Sequence, residues 1–404
     1  MNGIAYVSTY IPKRCGLATY THHLRQNVKA AKGWKGLDPV IVMIGSKEQS
    51  MYQEPDPALW PLLRDKKEAY TKMARKINNS HVSLVSLQHE FGIFGGHAGE
   101  YILEFIENVK KPLVTTFHTV FQKPEEPYRS IQQVIAQRSD RIVVMNRKAI
   151  PYLVDAFSIP EDKIVFIPHG TPVPEPEKRE QFREQLQWTG RKVLLTFGLL
   201  SRGKGIEMLL HTLSMVVKVV PDILYVIVGQ THPEVKKREG ESYRQELQEL
   251  IREKGLEQHV LMIDRYVAEE DLVKYITACD LYVTPYPGMQ QITSGTLAYA
   301  VGLGRPVVTT PYTYAQDLLR GYEELLVPYK DYTAWAQKLI RLLSNPDELR
   351  QWEKRMEQIG RTMHWPHVGA EYARLFARVA QTAQTLSPRG EGQREVKEIV
   401  SLYS

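Results

Sequence analysis

Thr293, Ser294, Gly295 and Thr296 stand at the head of an apolar stretch, residues 296–302, that reads as a helix ended by Gly302 and Gly304. Small hydroxyl residues and a glycine at a helix start leave backbone N–H groups, and the positive end of the helix dipole, open to an anion. Ser294 is equally an ordinary helix cap, so the run alone suggests a phosphate seat without establishing one. A second candidate is Gly198-Leu199-Leu200-Ser201-Arg202-Gly203-Lys204-Gly205, a glycine-rich turn where Arg202 and Lys204 can set cations beside a diphosphate. Two further apolar runs end alike in polar residues, one in Gln88-His89-Glu90 and the other in His118-Thr119. One histidine at such a place can simply hydrogen-bond within the fold; the repetition points to a shared cleft. No Asp-x-Asp pair occurs in the chain, so a metal-bridged diphosphate is not expected.

These residues need elements to hold them. Leu281–Thr284 and residues 307–310 are strand-like runs bounded by Pro285, Pro287, Pro306 and Pro311, and with the intervening helix they make a βαβ unit. At the N-terminus, residues 3–9 form a strand, followed by a turn with Pro12, Lys13, Arg14 and Gly16 and a helix over about residues 19–29. This is the opening of a doubly wound domain, whose ligands gather beyond the carboxyl ends of strands. There is no G-x-G-x-x-G, so the turn does not read as a dinucleotide site. Further strands are expected at Val40–Ile44, 82–87, Leu113–Phe117, 141–145 and 164–167, the last running into Pro168-His169-Gly170. The proline-rich segment 171–177 reads as a linker. Lys192–Phe197 then opens a second doubly wound half, with a helix over 206–217 and strands at 224–229 and Val260–Ile263. From Asp331 onward the chain is helical, anchored by Trp352, Trp365 and Tyr372, and residues 387–395 read as a loosely held tail.

A chain of 404 residues exceeds one ordinary core, so two domains are expected. Its 43% hydrophobic and 24% charged residues describe a globular protein, and no run of about 18 apolar residues marks a membrane span. The N-terminus enters a strand-like run without a basic lead-in, which argues against a signal peptide. Cys15 and Cys279 cannot make a disulfide framework, and a reducing cytoplasm is the simplest setting. A net charge of +6 suits an anionic ligand, a membrane surface, nucleic acid or merely a solvated surface. The basic helix expected over 66–77, with Lys66, Lys67, Lys72, Arg75 and Lys76, is open to two readings, a solvated face and a peripheral membrane contact. A nucleic-acid module is disfavoured, because no basic stripe interleaves with stacking aromatics.

Taken in order, these motifs resemble the GT-B-fold nucleotide-sugar glycosyltransferases of family GT4 over nearly the full length. Pro12-Lys13-Arg14-Cys15-Gly16-Leu17-Ala18-Thr19-Tyr20 resembles the family's first loop, and His118 its strand-end histidine. Ile167-Pro168-His169-Gly170 resembles the I-P-N-G turn, with His for Asn. Gly198, Leu200, Lys204 and Gly205 match G-R-L-x-x-x-K-G, with Leu199 at the Arg position and Arg202 placed to supply that cation. Trp365 resembles the Trp ahead of the final helix. The chief departure is the family's Glu pair, which falls on Gln291 and Tyr299 when aligned on Gly304-Arg305-Pro306-Val307.

The resemblance implies two Rossmann-like doubly wound α/β domains facing across a cleft, 1–171 on the acceptor side and 172–362 on the nucleotide-sugar side, with 363–404 a helix crossing back to the first domain and a tail. It implies retaining transfer of a sugar from a nucleoside-diphosphate donor, of GDP-mannose or UDP/ADP-glucose type, to a hydroxyl acceptor; with no Asp-x-Asp pair in the chain, neither metal nor other cofactor is expected. The diphosphate would lie between Lys204, Arg202 and the N–H groups of Ser294, Gly295, Thr296 and Leu297, with Gly16 closing from the other side. His118 and Gln291 would hold the sugar, Tyr299 the ribose, and Tyr266 and Val267 the base; His89, Glu90 and Arg14 would face the acceptor. Gln keeps the hydrogen bonds of a Glu but not the charge that stabilises an oxocarbenium ion. A sugar-nucleotide-binding protein with impaired catalysis is therefore an alternative, as is a GT-B epimerase or phosphorylase.

Overall fold

The structure, a computed structural model, describes residues 3–33, 36–52 and 56–386. The tail read at 387–395 lies outside the described residues. Seven strands form the first sheet: β1 (Ile4–Ser8), β2 (Val40–Ile44), β3 (Leu59–Leu63), β4 (Leu84–His89), β5 (Leu113–Phe117), β6 (Arg141–Val144) and β7 (Ile164–Phe166). Their order is 3-2-1-4-5-6-7, parallel throughout. The second sheet holds β8 (Lys192–Phe197), β9 (Ile223–Val228), β10 (Val260–Ile263), β11 (Leu281–Thr284) and β12 (Val307–Thr309), also parallel, in the order 10-9-8-11-12. Helices cover both faces of such sheets, which is why runs such as VIVMI and ILYVIV are apolar at every position and wholly buried.

Each sheet winds outward from its centre and then returns to wind the other way. The reversal falls between β1 and β4 in the first sheet and between β8 and β11 in the second. Registers there, Val7 opposite Leu87 and Leu194 opposite Leu281, bring the loops after these four strands to neighbouring strand ends.

Three local features depart from the sequence reading. β3 was not expected, since it contains Pro61; a proline without an N–H is tolerated on this edge strand. β4 runs on through Gln88 and His89, so both belong to the strand and not to the turn after it. The first helix, Gly16–Lys32, starts earlier than expected, because the Cys15 Sγ accepts the Ala18 N–H and caps it.

Side-chain alternation splits the first domain's core in two. Ala5, Val7, Ile41 and Met43 face Phe105 and Phe117 on one side; Ile4, Tyr6, Val40 and Val42 face the other. That second layer is completed by Trp365, Val368, Tyr372 and Phe376 of the C-terminal helix, Trp365–Leu386. The helix thus crosses back onto the first domain, and its Tyr372 hydroxyl meets that of Tyr20 at 3.1 Å. At the crossing, the Thr171 N–H donates to Met363 O and the Trp365 N–H donates to Thr171 O. Gly170 must be glycine here, since a Cβ would stand 2.3 Å from the Trp365 ring.

The basic helix is Lys67–Asn78, burying Tyr70, Met73, Ala74 and Ile77; Lys67 pairs with Glu104 at 3.0 Å and Lys76 lies 4.0 Å over the Trp60 ring. Among the described residues no helix is long and apolar enough to cross a membrane.

Candidate active site

The four switch-point loops, with residues that follow β5, β7, β9 and β10, line a cleft of about 770 Å³ between the domains. Two helix starts look into it. Gly16 heads the Gly16–Lys32 helix from the first domain, and Gly295 heads the Gly295–Gly302 helix from the second. Ser294 caps the latter by accepting the Leu297 N–H at 3.3 Å, which leaves the Gly295 and Thr296 N–H groups ahead of the intrahelical ladder. Lys204 stands beside them, its Nζ donating to the Tyr286 hydroxyl at 2.7 Å, which lies 3.0 Å from Thr296 Oγ1. The turn is pressed tightly against the loop after β11. Gly205 has φ +62°, and a Cβ there would come 2.1 Å from Pro285 O; at Gly198 (φ +124°) it would meet Lys204 Nζ at 3.0 Å. A cation, two hydroxyls and two helix-start N–H groups thus share one corner of the cleft, an arrangement suited to a diphosphate.

Across from it, β4 and β5 deliver the polar side chains. The Gln88 amide donates to Ser86 Oγ (3.1 Å) and Thr116 Oγ1 (3.4 Å), which turns its carbonyl oxygen to His118 Nε2 at 3.0 Å. Nε2 of His118 therefore carries the proton and Nδ1 the lone pair. Burial, with His169 and His89 nearby, pushes the His118 pKa down to about 3, so the ring is a neutral hydrogen-bonding group at physiological pH. His169 is likewise held neutral, at about 4, by burial; its Nδ1 donates to Gly170 O at 2.8 Å. Tyr20 sets its edge against both imidazoles and Trp365, with ring centroids 4.9 to 5.2 Å apart. Glu90 reaches the cleft and accepts from the Thr119 hydroxyl at 2.7 Å and the Phe91 N–H at 3.1 Å; burial raises its pKa against the pull of these bonds. Arg14 reaches across from the first domain to within 5.6 Å of the Tyr266 ring centroid, and Val267 lies next along the same wall.

Several expected contacts are not made. Arg202 turns away from the cleft: its guanidinium forks onto Glu246 at 2.6 and 2.7 Å and lies 5.1 Å over the Tyr243 ring. Ser201, Gly203 and Lys204 line the cleft in its place. His89 is fully buried among Phe91, Phe94 and Phe117, because β4 extends through it, and it does not reach the acceptor side. The Leu297 N–H is occupied by the Ser294 cap, so Leu297 and the buried Ser294 serve the helix start and not a ligand directly. Gln291 lines the cleft with its amide donating to Thr293 O at 3.0 Å. The Tyr299 hydroxyl is already engaged, donating to the carboxylate of Glu269, which itself lines the cleft. At position 299, where the resemblance leads one to expect a carboxylate, the fold sets the carboxylate of Glu269 against the tyrosine.

Sequence reading missed Glu269, since only the packing of the Glu269–Ala278 helix beside Tyr299 reveals it. The part Gln88 plays in orienting His118 is likewise not visible in the sequence, because it depends on the pairing of β4 with β5. Among the described residues, no three His, Cys, Asp or Glu side chains converge as metal ligands would.

Residues 191–345 match the family described as glycosyl transferases group 1, and residues 16–173 match the one described as glycosyltransferase family 4. No curated protein matches the sequence. Among solved structures, the fold is similar to sucrose-phosphate synthase from Thermosynechococcus elongatus, 18% identical, with a TM-score of 0.73 over 95% of this chain and 100% of that one. HepE of Anabaena, solved in complex with UDP, is 15% identical, with a TM-score of 0.70 over 96% of this chain and 100% of its own. A glycosyltransferase from Rickettsia africae is 15% identical, with a TM-score of 0.70 over 94% and 99% of the two chains. At such identities the likeness speaks for the fold alone.

Proposed function

The chain belongs to the GT-B-fold glycosyltransferases of family 4, and from that premise we propose that it moves a sugar from a nucleoside-diphosphate donor to a hydroxyl acceptor with retained configuration. The observation that carries this reading is the meeting of two helix starts and Lys204 at one cleft between two switch points. A donor diphosphate would sit against Lys204, Thr296 and the Gly295 N–H, with Gly16 approaching from the first domain. These groups would stabilise the charge that grows on the leaving nucleotide as the C1–O bond breaks. Retention brings the acceptor oxygen to the face that the diphosphate leaves, where a phosphate oxygen can take the acceptor's proton.

His118, neutral and oriented by Gln88, would hold a sugar hydroxyl, with Gln291 beside it. Tyr299 and Glu269 together would offer the ribose acceptors, Tyr266 and Val267 would frame the base, and Glu90 and Arg14 would meet the acceptor. HepE was solved with UDP-glucose, which makes that donor the first to try. The test is a calorimetric panel of UDP, GDP and ADP, followed by product analysis with the matching sugar nucleotides. A new glycosidic product supports the transferase; an epimer or a sugar phosphate would replace it with another reaction on the same fold. The Gln291 and Tyr299 substitutions favour one second reading, a binding protein with impaired catalysis, which nucleotide binding without any turnover would support.

A further inference from the structure

The two walls of the cleft touch just behind the residues assigned to the ribose, at His23, which the donor and acceptor assignments leave unused. His23, on the Gly16–Lys32 helix of the first domain, pairs through Nε2 with Oε2 of Glu269, at the head of the Glu269–Ala278 helix of the second. The other oxygen of that carboxylate accepts from Tyr299. The His23 ring is stacked on Trp365, with centroids 5.4 Å apart and planes at 24°, so the C-terminal helix backs the contact as well. The His23 and Glu269 side chains are only 20% and 21% exposed, so solvent screens this pair less than a surface pair. Burial pushes the Glu269 pKa up, but His23 and Tyr299 outweigh it and hold the carboxyl below its ordinary value, so a full negative charge faces His23. Glu269 and Tyr299 line the cleft while His23 stands behind them, reaching Glu269 from the opposite domain.

We propose that His23, Glu269 and Tyr299 form a latch that holds the domains shut over a bound nucleotide, with His23 a positioning residue that sets how long the nucleotide stays. The proposal rests on the transferase reading for the identity of the ligand, but the latch itself is a contact between domains. Its consequence for the reaction is protection: a shut cleft keeps water from C1 of the sugar while the acceptor oxygen takes that position.

The experiment compares wild type with His23→Ala and His23→Gln, the second retaining an N–H donor. UDP release is followed by stopped flow, and the radius of gyration by small-angle scattering with and without UDP, after thermal midpoints show each variant folded. His23→Ala is expected to speed UDP release at least about fivefold, since interface contacts act mostly on dissociation, and to enlarge the UDP-bound particle; His23→Gln should stay near wild type. Unchanged release and unchanged radius in His23→Ala would overturn the latch, as would a His23→Gln protein as open as His23→Ala. If wild type binds none of UDP, GDP and ADP, the transferase reading fails, and the latch stands or falls on whether His23→Ala enlarges the free protein.

Discussion

Lys204 is the cation that the fold commits to the anion corner, and Arg202, two residues earlier, is not. Lys204→Ala is expected to weaken nucleoside-diphosphate binding by about 1.5–3 kcal/mol, the range for a hydrogen bond to a charged group. Arg202→Ala should leave it within about 0.5 kcal/mol, since its guanidinium is held by Glu246 on the surface. Calorimetric titration decides both, and equal losses would return Arg202 to the site. Gln291 carries a further expectation. Its amide can both donate to and accept from sugar hydroxyls, so Gln291→Ala should lower turnover about tenfold, roughly 1.4 kcal/mol of transition-state stabilisation, and Gln291→Glu should bring no gain. A glutamate variant that activates a nearly inert protein would favour the binding-protein reading instead. The contrast between Lys204 and Arg202 also marks what sequence can convey. A residue in a strand-to-helix turn is placed by its neighbours, whereas Arg202 is turned by a partner 44 positions away, and Tyr299 by one 30 away.

At the scale of elements, glycines separate folding from function. Gly205→Ala forces a left-handed backbone onto a side chain that would strike Pro285 O, and is expected to destabilise the second domain by about 1–3 kcal/mol or more in urea titration. A Cβ at Gly16 would meet no atom within 4 Å beyond its chain neighbours and its own helix backbone, so Gly16→Ala should keep its unfolding midpoint yet bind nucleotide more weakly. A loss of stability there, with binding intact, would remove Gly16 from the diphosphate. The strand ends make a different demand. Burial holds His89 and His118 at about 3 and His169 at about 4, against an ordinary 6.5. As pH falls below about 6.5 the unfolded chain takes up protons that these rings refuse, so stability should decline progressively toward pH 4. A urea midpoint no lower at pH 5 than at pH 7 would contradict this. Strand positions, though not their order in each sheet, were largely legible, because buried parallel strands are written as unbroken apolar runs. β3 was not, for its proline hid an edge strand, and the end of β4 was misjudged because polar Gln88 and His89 are buried by neighbours distant in sequence.

For the whole molecule, the absence of any Asp-x-Asp pair, with Lys204 and helix N–H groups at the corner, leads to the expectation that turnover survives exhaustive chelation. Activity lost to chelator and restored by magnesium or manganese would refute it. The crossing of the last helix was foreseen only through the resemblance, since nothing in the local pattern of Trp365 or Tyr372 says which sheet they will cover. Its placement governs how the protein is made. One apolar face of the first sheet is covered jointly by Tyr20, Leu24 and Val28 of the first helix and by Trp365, Val368, Tyr372 and Phe376, so the first half of the chain leaves the ribosome with that face only partly covered. It stays so until residues 365–376 have been synthesised. The second sheet, whose core draws on residues 188–363, can pack meanwhile. The domain translated first is therefore the one completed last, and through that interval its incompletely covered face is open to aggregation and to chaperone binding.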